Sequence, residues 1–386
     1  MPLMAPENWS DQTPKPLLLI AAQSGRFLAQ IAHRAGYPVR VADQFADTDT
    51  LAVAEQHLLL ADFEALSERT FLDAVISLAA GQSAVLIIGT GLERFFNCLE
   101  QLPANIQSAN NPCQSLRRCL TPRDWFTLLS ELAIAYPQSQ FSRPATPDHY
   151  LLKSSRHWGG GHIQNAGQAT TDGDYYQQHI QGRSGSVLFI ADGEKARPIS
   201  LNQQFCRAPL QQDFRLQAIT NRLTTDENSK ARLANICQKL TMTLTLRGFQ
   251  SLDFIIGAGG EIRILELNPR PGASLQCLPT DWPLINWHLD ACQGRLPPIE
   301  DWPAAASRLW YGAYADTGLT IPASFNWPVY ACDLPAAGMH IARNQIICSL
   351  LLDCPADNIL PFGQNLATQL QLQLKSTLET CPNSAI

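Results

Sequence analysis

The stretch ILELNPRPGAS, residues 264–274, decides how this chain is read. It runs apolar, acid, apolar, amide, and then turns into Pro-Arg-Pro-Gly. Successive side chains of a strand point to opposite faces, so Glu266 and Asn268, two apart, share one face. A buried strand has no ordinary use for an acid and an amide there. Extended backwards, LRGFQSLDFIIGAGGEIRILELNPRPGAS (246–274) reads as two strands joined by a turn at Ala258-Gly259-Gly260, with Asp253 among apolar neighbours in the first. Across such a hairpin Asp253 can approach Glu266. Two carboxylates crowded in a sheet repel each other unless a cation lies between them. Oxygen ligands without thiol or imidazole favour Mg²⁺ (or Mn²⁺), bridging substrate phosphates. Arg270, just past the strand, would then face the transferred phosphate. The competing reading is a carboxylate pair neutralised by Arg263 or Arg270 alone.

Two segments upstream carry related chemistry. In YLLKSSRHWGGGHIQ (150–164) a strand bearing Lys153 opens into Gly159-Gly160-Gly161. Three glycines leave backbone N–H groups free to fold over phosphate oxygens, and the lysine adds a point charge. This is not a Walker A motif, because the lysine precedes the glycines and no G-K-[ST] follows. In DYYQQHIQGRSGSVLFIADGEKARPIS (174–200), SVLFIADGEKARPIS is a strand, a tight Asp192-Gly193 turn and a returning strand. The preceding YYQQHIQG reads as an edge segment whose backbone could pair with a flat heterocycle. Taken singly, a surface hairpin and a plain antiparallel sheet account for these two segments.

The rest of the chain frames them. With 386 residues, two or three domains are expected. Hydrophobic residues at 45% and charged residues at 16% mark a globular chain. A net charge of -6 without a basic stripe argues against nucleic acid as a partner. The 11 cysteines are scattered and never spaced C-x-x-C, so free thiols in a reducing cytoplasm are expected instead of disulfides or zinc. No segment approaches a membrane span, and the N-terminus lacks the pattern of a signal peptide. PLLLIAA (16–22), SGRFLAQIAHRAG (24–36) and YPVRVAD (37–43) form a βαβ unit, and SAVLIIGTG (83–91) adds a strand after a helix around 67–80. The loop AAQSGRF has one glycine, not G-x-G-x-x-G, so no dinucleotide site is encoded. A helix over 119–138 enters at Thr121-Pro122 between two polar linkers, 105–114 and 141–149. The last segment, with CDLPAAGMHI and NQIICSLLL, reads as short strands.

In this order and spacing, the lysine strand with its glycine loop, the QQHIQG hinge and DF…LELNPRPGAS resemble the ATP-grasp superfamily over roughly residues 115–290. The resemblance implies an α/β and α+β fold: a Rossmann-like pre-ATP-grasp domain (1–110), an ATP-grasp domain (111–300) with a mobile lid at about 148–190, and a small β-rich C-terminal appendage (301–386). It implies ATP and Mg²⁺ as cofactors, with Asp253, Glu266 and Asn268 as metal ligands. Lys153 and the glycines 159–161 would lie on the phosphates, Gln177 and the backbones of Gln178 and Ile180 on adenine, and Arg270 on the transferred phosphoryl group. The hinge carries Gln177 and Gln181 where many relatives have Glu. The second phosphate lysine has no clear match, with Arg117 or Arg118 as stand-ins. Leu275-Gln276 follows where several relatives have Glu.

The implied reaction is ATP-dependent ligation of a carboxylate to an amine through an acyl phosphate. The layout is similar to carboxylate ligases distantly related to biotin carboxylase, including ATP-grasp proteins of methylotrophic bacteria tied to tetrahydromethanopterin- or methanofuran-type coenzymes. The alternatives are a bicarbonate-using carboxylase of the biotin carboxylase type and a non-catalytic ATP-binding protein. Small-molecule acid and amine partners, no nucleic acid, no membrane and a homodimer complete the expectation.

Overall fold

The computed structural model describes residues 8–62, 65–154, 160–161, 163–166, 173–208, 213–303, 305–353 and 359–380. The N-terminal part runs β1 (Leu17–Ala21), α1 (Arg26–Arg34), β2 (Val39–Asp43), α2 (Thr48–Leu51), β3 (Gln56–Leu59), α3 (Glu68–Ala79), β4 (Ala84–Ile88) and β5 (Ile106–Ser108). These strands form one sheet in the order β3-β2-β1-β4-β5, with every pair parallel. LLLIA and AVLII are buried along their whole length, as parallel strands sandwiched by helices must be. α1 stops where Gly36 takes φ +81°, the expected glycine ending. α3 begins at a capping box between Ser67 and Thr70.

Two helices follow, α4 (Cys113–Leu120) and α5 (Pro122–Glu131), meeting at Thr121. One longer helix over 119–138 was expected there; Pro122 begins a fresh helix, and Ala133 in the left-handed region ends it early. Next come β6 (Ser139–Gln140), β7 (Tyr150–Lys153), β8 (Ile163–Asn165) and β9 (Tyr175–Gln178), a four-stranded antiparallel sheet ordered β6-β9-β7-β8. This is the lid. β9 lies inside it, paired with β6 and β7, and is not the edge strand that the sequence suggested.

β10 (Gly182–Asp192), β11 (Ala196–Ala208), β12 (Asp213–Thr220), α6 (Glu227–Leu244), β13 (Arg247–Gly257), β14 (Ile262–Asn268) and α7 (Leu284–Cys292) build the central body. The chain then continues through β15 (Arg308–Tyr314), β16 (Leu319–Thr320), β17 (Ala331–Cys332), β18 (His340–Ile341), β19 (Ile346–Asp353) and α8 (Ile359–Thr380). The main sheet is ordered β14-β13-β10-β11-β12-β15-β19-β17, and β16 pairs with β18 alone. β10 therefore already belongs to the main sheet, and the lid sheet stops at Gln178 instead of running to about residue 190. The C-terminal segment is β-rich as expected, but three of its strands extend the main sheet. Its long helix α8, which the sequence reading did not foresee, buries Leu370 and Leu374 against β15 and β19.

One face of the main sheet packs on α6, where Val187, Phe189, Leu252 and Phe254 meet Leu233 and Leu240. The other face packs on α7. There Leu188, Ile190 and Phe249 join Ile285, Leu289 and the N-terminal residues Leu18, Ile20 and Val39 in one cluster. The N-terminal sheet and the main sheet thus share a core. The lid has its own small cluster, Tyr150, Leu152, Ala166 and Tyr176. No described helix is long and apolar enough to cross a membrane. The nine cysteines among the described residues are all free thiols.

Candidate active site

β13 and β14 pair so that Asp253 stands opposite Glu266 and Ser251 opposite Asn268. The register slips between Asp253 and Phe254, which pairs with Ile264, so Leu265 is an extra residue. This bulge explains the site. Ile262 and Ile264 before it and Leu267 after it all enter the same core on α6. Strict alternation would send Glu266 and Asn268 into that core with Ile264. The bulge turns them to the opposite face, beside Asp253 and Ser251. It is pinned from behind, where Trp125 Nε1 donates to the Leu265 carbonyl at 3.1 Å and the Ile264 N–H donates to Ala135 O at 2.9 Å.

Burial, and then the nearby Glu266 carboxylate, push the Asp253 carboxyl up to about 7. Ser251 Oγ and Gln204 Nε2 donate to Asp253 Oδ1 at 3.1 and 3.4 Å. Asn268 Nδ2 lies 3.2 Å from Asp253 Oδ2 and 3.5 Å from Glu266 Oε1. The amide thus donates between the two carboxylates, in a place where a cation would offset their repulsion. Two carboxylates and an amide oxygen suit a hard divalent cation that also takes ligands from a phosphate. Among the described residues no three His, Cys, Asp or Glu side chains are grouped to hold a metal unaided.

Lys153, at the end of β7, is buried at 7% exposure. Desolvation lowers its pKa, while the Glu266 and Asp253 charges oppose that shift. Lys153 thus lies near enough to the carboxylate pair for both charges to act on it. Arg270 donates from Nε to Glu93 Oε1 and from Nη2 to Asn268 Oδ1, both at 3.0 Å. Its positive charge acts on Asp253 as well. Arg263 stands opposite Ile255, further along the hairpin, and forms no ion pair with Asp253 or Glu266.

Gly160 has φ +81°, and a Cβ there would lie 1.9 Å from the Phe214 carbonyl oxygen. Only glycine lets the loop rest on β12 so closely. Gly161 lines the adjoining cleft. Gly159, the first of the three, lies outside the described residues. In the hinge, Gln177 is buried and donates from Nε2 to Ser139 Oγ at 3.2 Å, and the Gln178 N–H donates to Gln138 O at 2.8 Å. Ile180 is half-buried in the crossing from β9 to β10. The hinge glycine has its own reason, since a Cβ on Gly182 would meet the Ile256 carbonyl oxygen at 2.2 Å. Arg117 and Arg118 are engaged elsewhere, with Asn97 and Glu131.

Sequence reasoning missed Gln204, Ser251 and Glu93. Ser251 was legible, two residues before Asp253 on the same face. Gln204 and Glu93 come from distant segments, and nothing in their local pattern marks them.

Residues 124–274 match the family model described as an ATP-grasp domain. The fold of the whole chain is that of biotin carboxylases and N5-carboxyaminoimidazole ribonucleotide synthetases. A biotin carboxylase–β,γ-ATP complex from Campylobacter jejuni has a TM-score of 0.65 at 14% identity, covering 87% of each chain. The biotin carboxylase domain dimer of the Hydrogenobacter thermophilus 2-oxoglutarate carboxylase, with MgADP and bicarbonate, has a TM-score of 0.68 at 12% identity, covering 94% of this chain and 97% of that one. The N5-carboxyaminoimidazole synthase of Aspergillus clavatus, with ADP and 5-aminoimidazole ribonucleotide, has a TM-score of 0.67 at 12% identity, covering 94% and 99%. No curated protein matches the sequence.

Proposed function

We propose that the protein is an ATP-dependent carboxylate–amine ligase. The observation that carries this reading is the close, half-buried pair Asp253 and Glu266, bridged by Asn268, with the buried Lys153 near enough to feel both charges. Two carboxylates are costly to hold so close without a cation between them, which a bound polyphosphate would bring. Asp253, Glu266 and Asn268 would hold Mg²⁺ (or Mn²⁺). When bound, the metal supplies charge neutralisation to the phosphate oxygens.

Lys153 binds phosphate oxygens, with Gly160 and Gly161 closing the loop over them. Gln177 and the backbones of Gln178 and Ile180 face the adenine side. Arg270, held by Glu93, stabilises negative charge at the transferred group. The γ-phosphoryl passes to the substrate carboxylate as its bond to the β-phosphate oxygen breaks, leaving ADP and an acyl phosphate. The amine lone pair then attacks the acyl carbon, phosphate leaves, and the nitrogen gives up a proton. The lid excludes water that would hydrolyse the acyl phosphate.

By resemblance, the acid and amine belong to synthesis of a tetrahydromethanopterin- or methanofuran-type coenzyme in the cytoplasm, and the protein works as a homodimer. Glutamate with pterin and furan precursors is therefore the first substrate set to screen. Release of ADP and phosphate should require acid and amine together. Turnover that needs only bicarbonate and an acceptor would favour the carboxylase instead, a reading prompted by the fold shared with a bicarbonate-bound carboxylase domain. Asp253→Asn and Glu266→Gln should each lower ATP turnover by about 10²-fold or more. Full turnover in either variant would sink the metal assignment.

A further inference from the structure

Beside the Arg270 loop a cleft of about 680 Å³ opens between the N-terminal sheet, the glycine loop and the C-terminal strands. Its walls are largely apolar, with Phe27, Phe45, Trp310, Met339 and Ile341 among them. Phe45 is 37% exposed, a large ring left without full cover.

Asp47 also lines this cleft. The residue is 5% exposed, and its Oδ2 is buried with no hydrogen-bond partner. It stands at the N-cap of α2 yet caps nothing. A buried carboxylate oxygen left unpaired is costly and calls for an explanation. Its neighbours do not supply one. Asp49 accepts from the backbone N–H groups of Asp333 and Leu334, at 3.0 and 2.9 Å. Asp333 is held by Arg26 at 3.0 Å, and by Ser24. Asp43 accepts from Gly25, Phe45 and Ala46 N–H groups and lies 2.8 Å from His57. Arg26, the one buried cation of the group, is thus committed to Asp333 and also donates to Gln276. Arg215 lines the cleft too, but Asp213 holds its guanidinium through two contacts of 2.8 and 2.7 Å. The group sets four carboxyls, Asp43, Asp47, Asp49 and Asp333, against one guanidinium and the His57 ring. Burial, and then Asp333, Asp43 and Asp49, push the Asp47 carboxyl up to about 8, against a smaller opposing effect of the Arg26 charge. Among the described residues no three His, Cys, Asp or Glu side chains are grouped here to hold a metal ion.

We infer that this cleft takes an organic ammonium ion with an apolar body, its charged nitrogen paired with Asp47 and its body on Phe27, Phe45 and Trp310. This rests on the ligase reading above and gives the amine substrate of that reaction a chemical class. A nucleotide-like or sugar-phosphate acceptor would instead bring anionic charge to an acidic wall.

The test is calorimetric binding of benzylamine and n-hexylamine to the full chain without nucleotide, against benzyl alcohol, n-hexanol and hexanoate. The amines should bind at least about tenfold tighter than the alcohols, as expected for a hydrogen-bonded charge pair. Asp47→Asn should abolish that preference. Alcohols binding as well as amines, hexanoate binding tighter, or an unchanged preference in Asp47→Asn would each overturn the inference. The amine–alcohol comparison on the unaltered protein stands even if the variant fails to fold. MgATP binding, measured separately, tests the ligase reading. Loss of the amine preference with intact ATP-dependent ligation removes only the present inference; amine preference without ATP binding removes the ligase.

Discussion

Asp47 shows how a single residue makes ligand-free stability depend on pH. Its folded pKa, about 8, lies above its ordinary value of 3.8. An acid shifted in this direction stabilises the fold while protonated. That contribution is fully present below about 4 and is lost as pH rises through about 8. The melting temperature of the ligand-free protein should therefore lose this contribution between about pH 4 and pH 8, and Asp47→Asn should flatten that limb. Equal slopes in both proteins would refute the assignment. At this scale the sequence was informative only where partners are neighbours along the chain or across one turn. Asp253, Glu266 and Asn268 could be paired on paper because a two-residue alternation and a glycine turn fix their register. The meeting of Lys153 with that pair, or of Glu93 with Arg270, depends on how sheets far apart in sequence pack together, which no local pattern encodes.

Among the elements, α7 helps to seat the N-terminal domain. His288 on α7 accepts from the Phe249 N–H at Nδ1, 3.1 Å away, and its Nε2 lies 3.0 Å from the Ala109 carbonyl oxygen. The ring therefore carries its proton on Nε2 and joins α7, β13 and the end of the first domain. Burial lowers its pKa to about 4. For a base shifted downwards, stability is present above the unfolded value of about 6.5 and lost as pH falls through about 4. His288→Phe should cost roughly 1–3 kcal/mol at pH 7 by orphaning a buried N–H and a carbonyl. It should also soften the acid limb of the stability curve, which urea titrations at pH 7 and pH 5 would measure. The sequence reading placed β1, α1, β2, α3 and β4, whose apolar runs and stop signals are self-contained. It saw short strands at the C-terminus but not their membership of the main sheet, because β15 pairs with β12 across nearly a hundred residues. The Leu265 bulge was equally hidden, since ILELN reads as unbroken alternation.

Across the whole molecule, Arg26 ties three distant segments, reaching Asp333, Gln276 and Asp49 from α1. Arg26→Met should destabilise the protein by roughly 3–5 kcal/mol, because it strands buried carboxylates without their cation. Thermal unfolding at neutral pH reads this directly, and a loss under 1 kcal/mol would show that the cluster is solvated. The shared core beneath α7 makes the N-terminal and central parts one body, whereas the four-stranded sheet has a cluster of four apolar residues and reaches the central core through Tyr175. So small a core cannot by itself offset the chain entropy of its sheet. On the proposed function, nucleotide binding and ordering of this sheet are thermodynamically coupled. Binding of MgATP should carry a more negative heat-capacity change than the area of the nucleotide alone accounts for, and slowed amide exchange should appear in β7 and β9 before any appears in β13. The affinity measured for ATP would in that case report the folding equilibrium of the lid as much as the contacts to the phosphates.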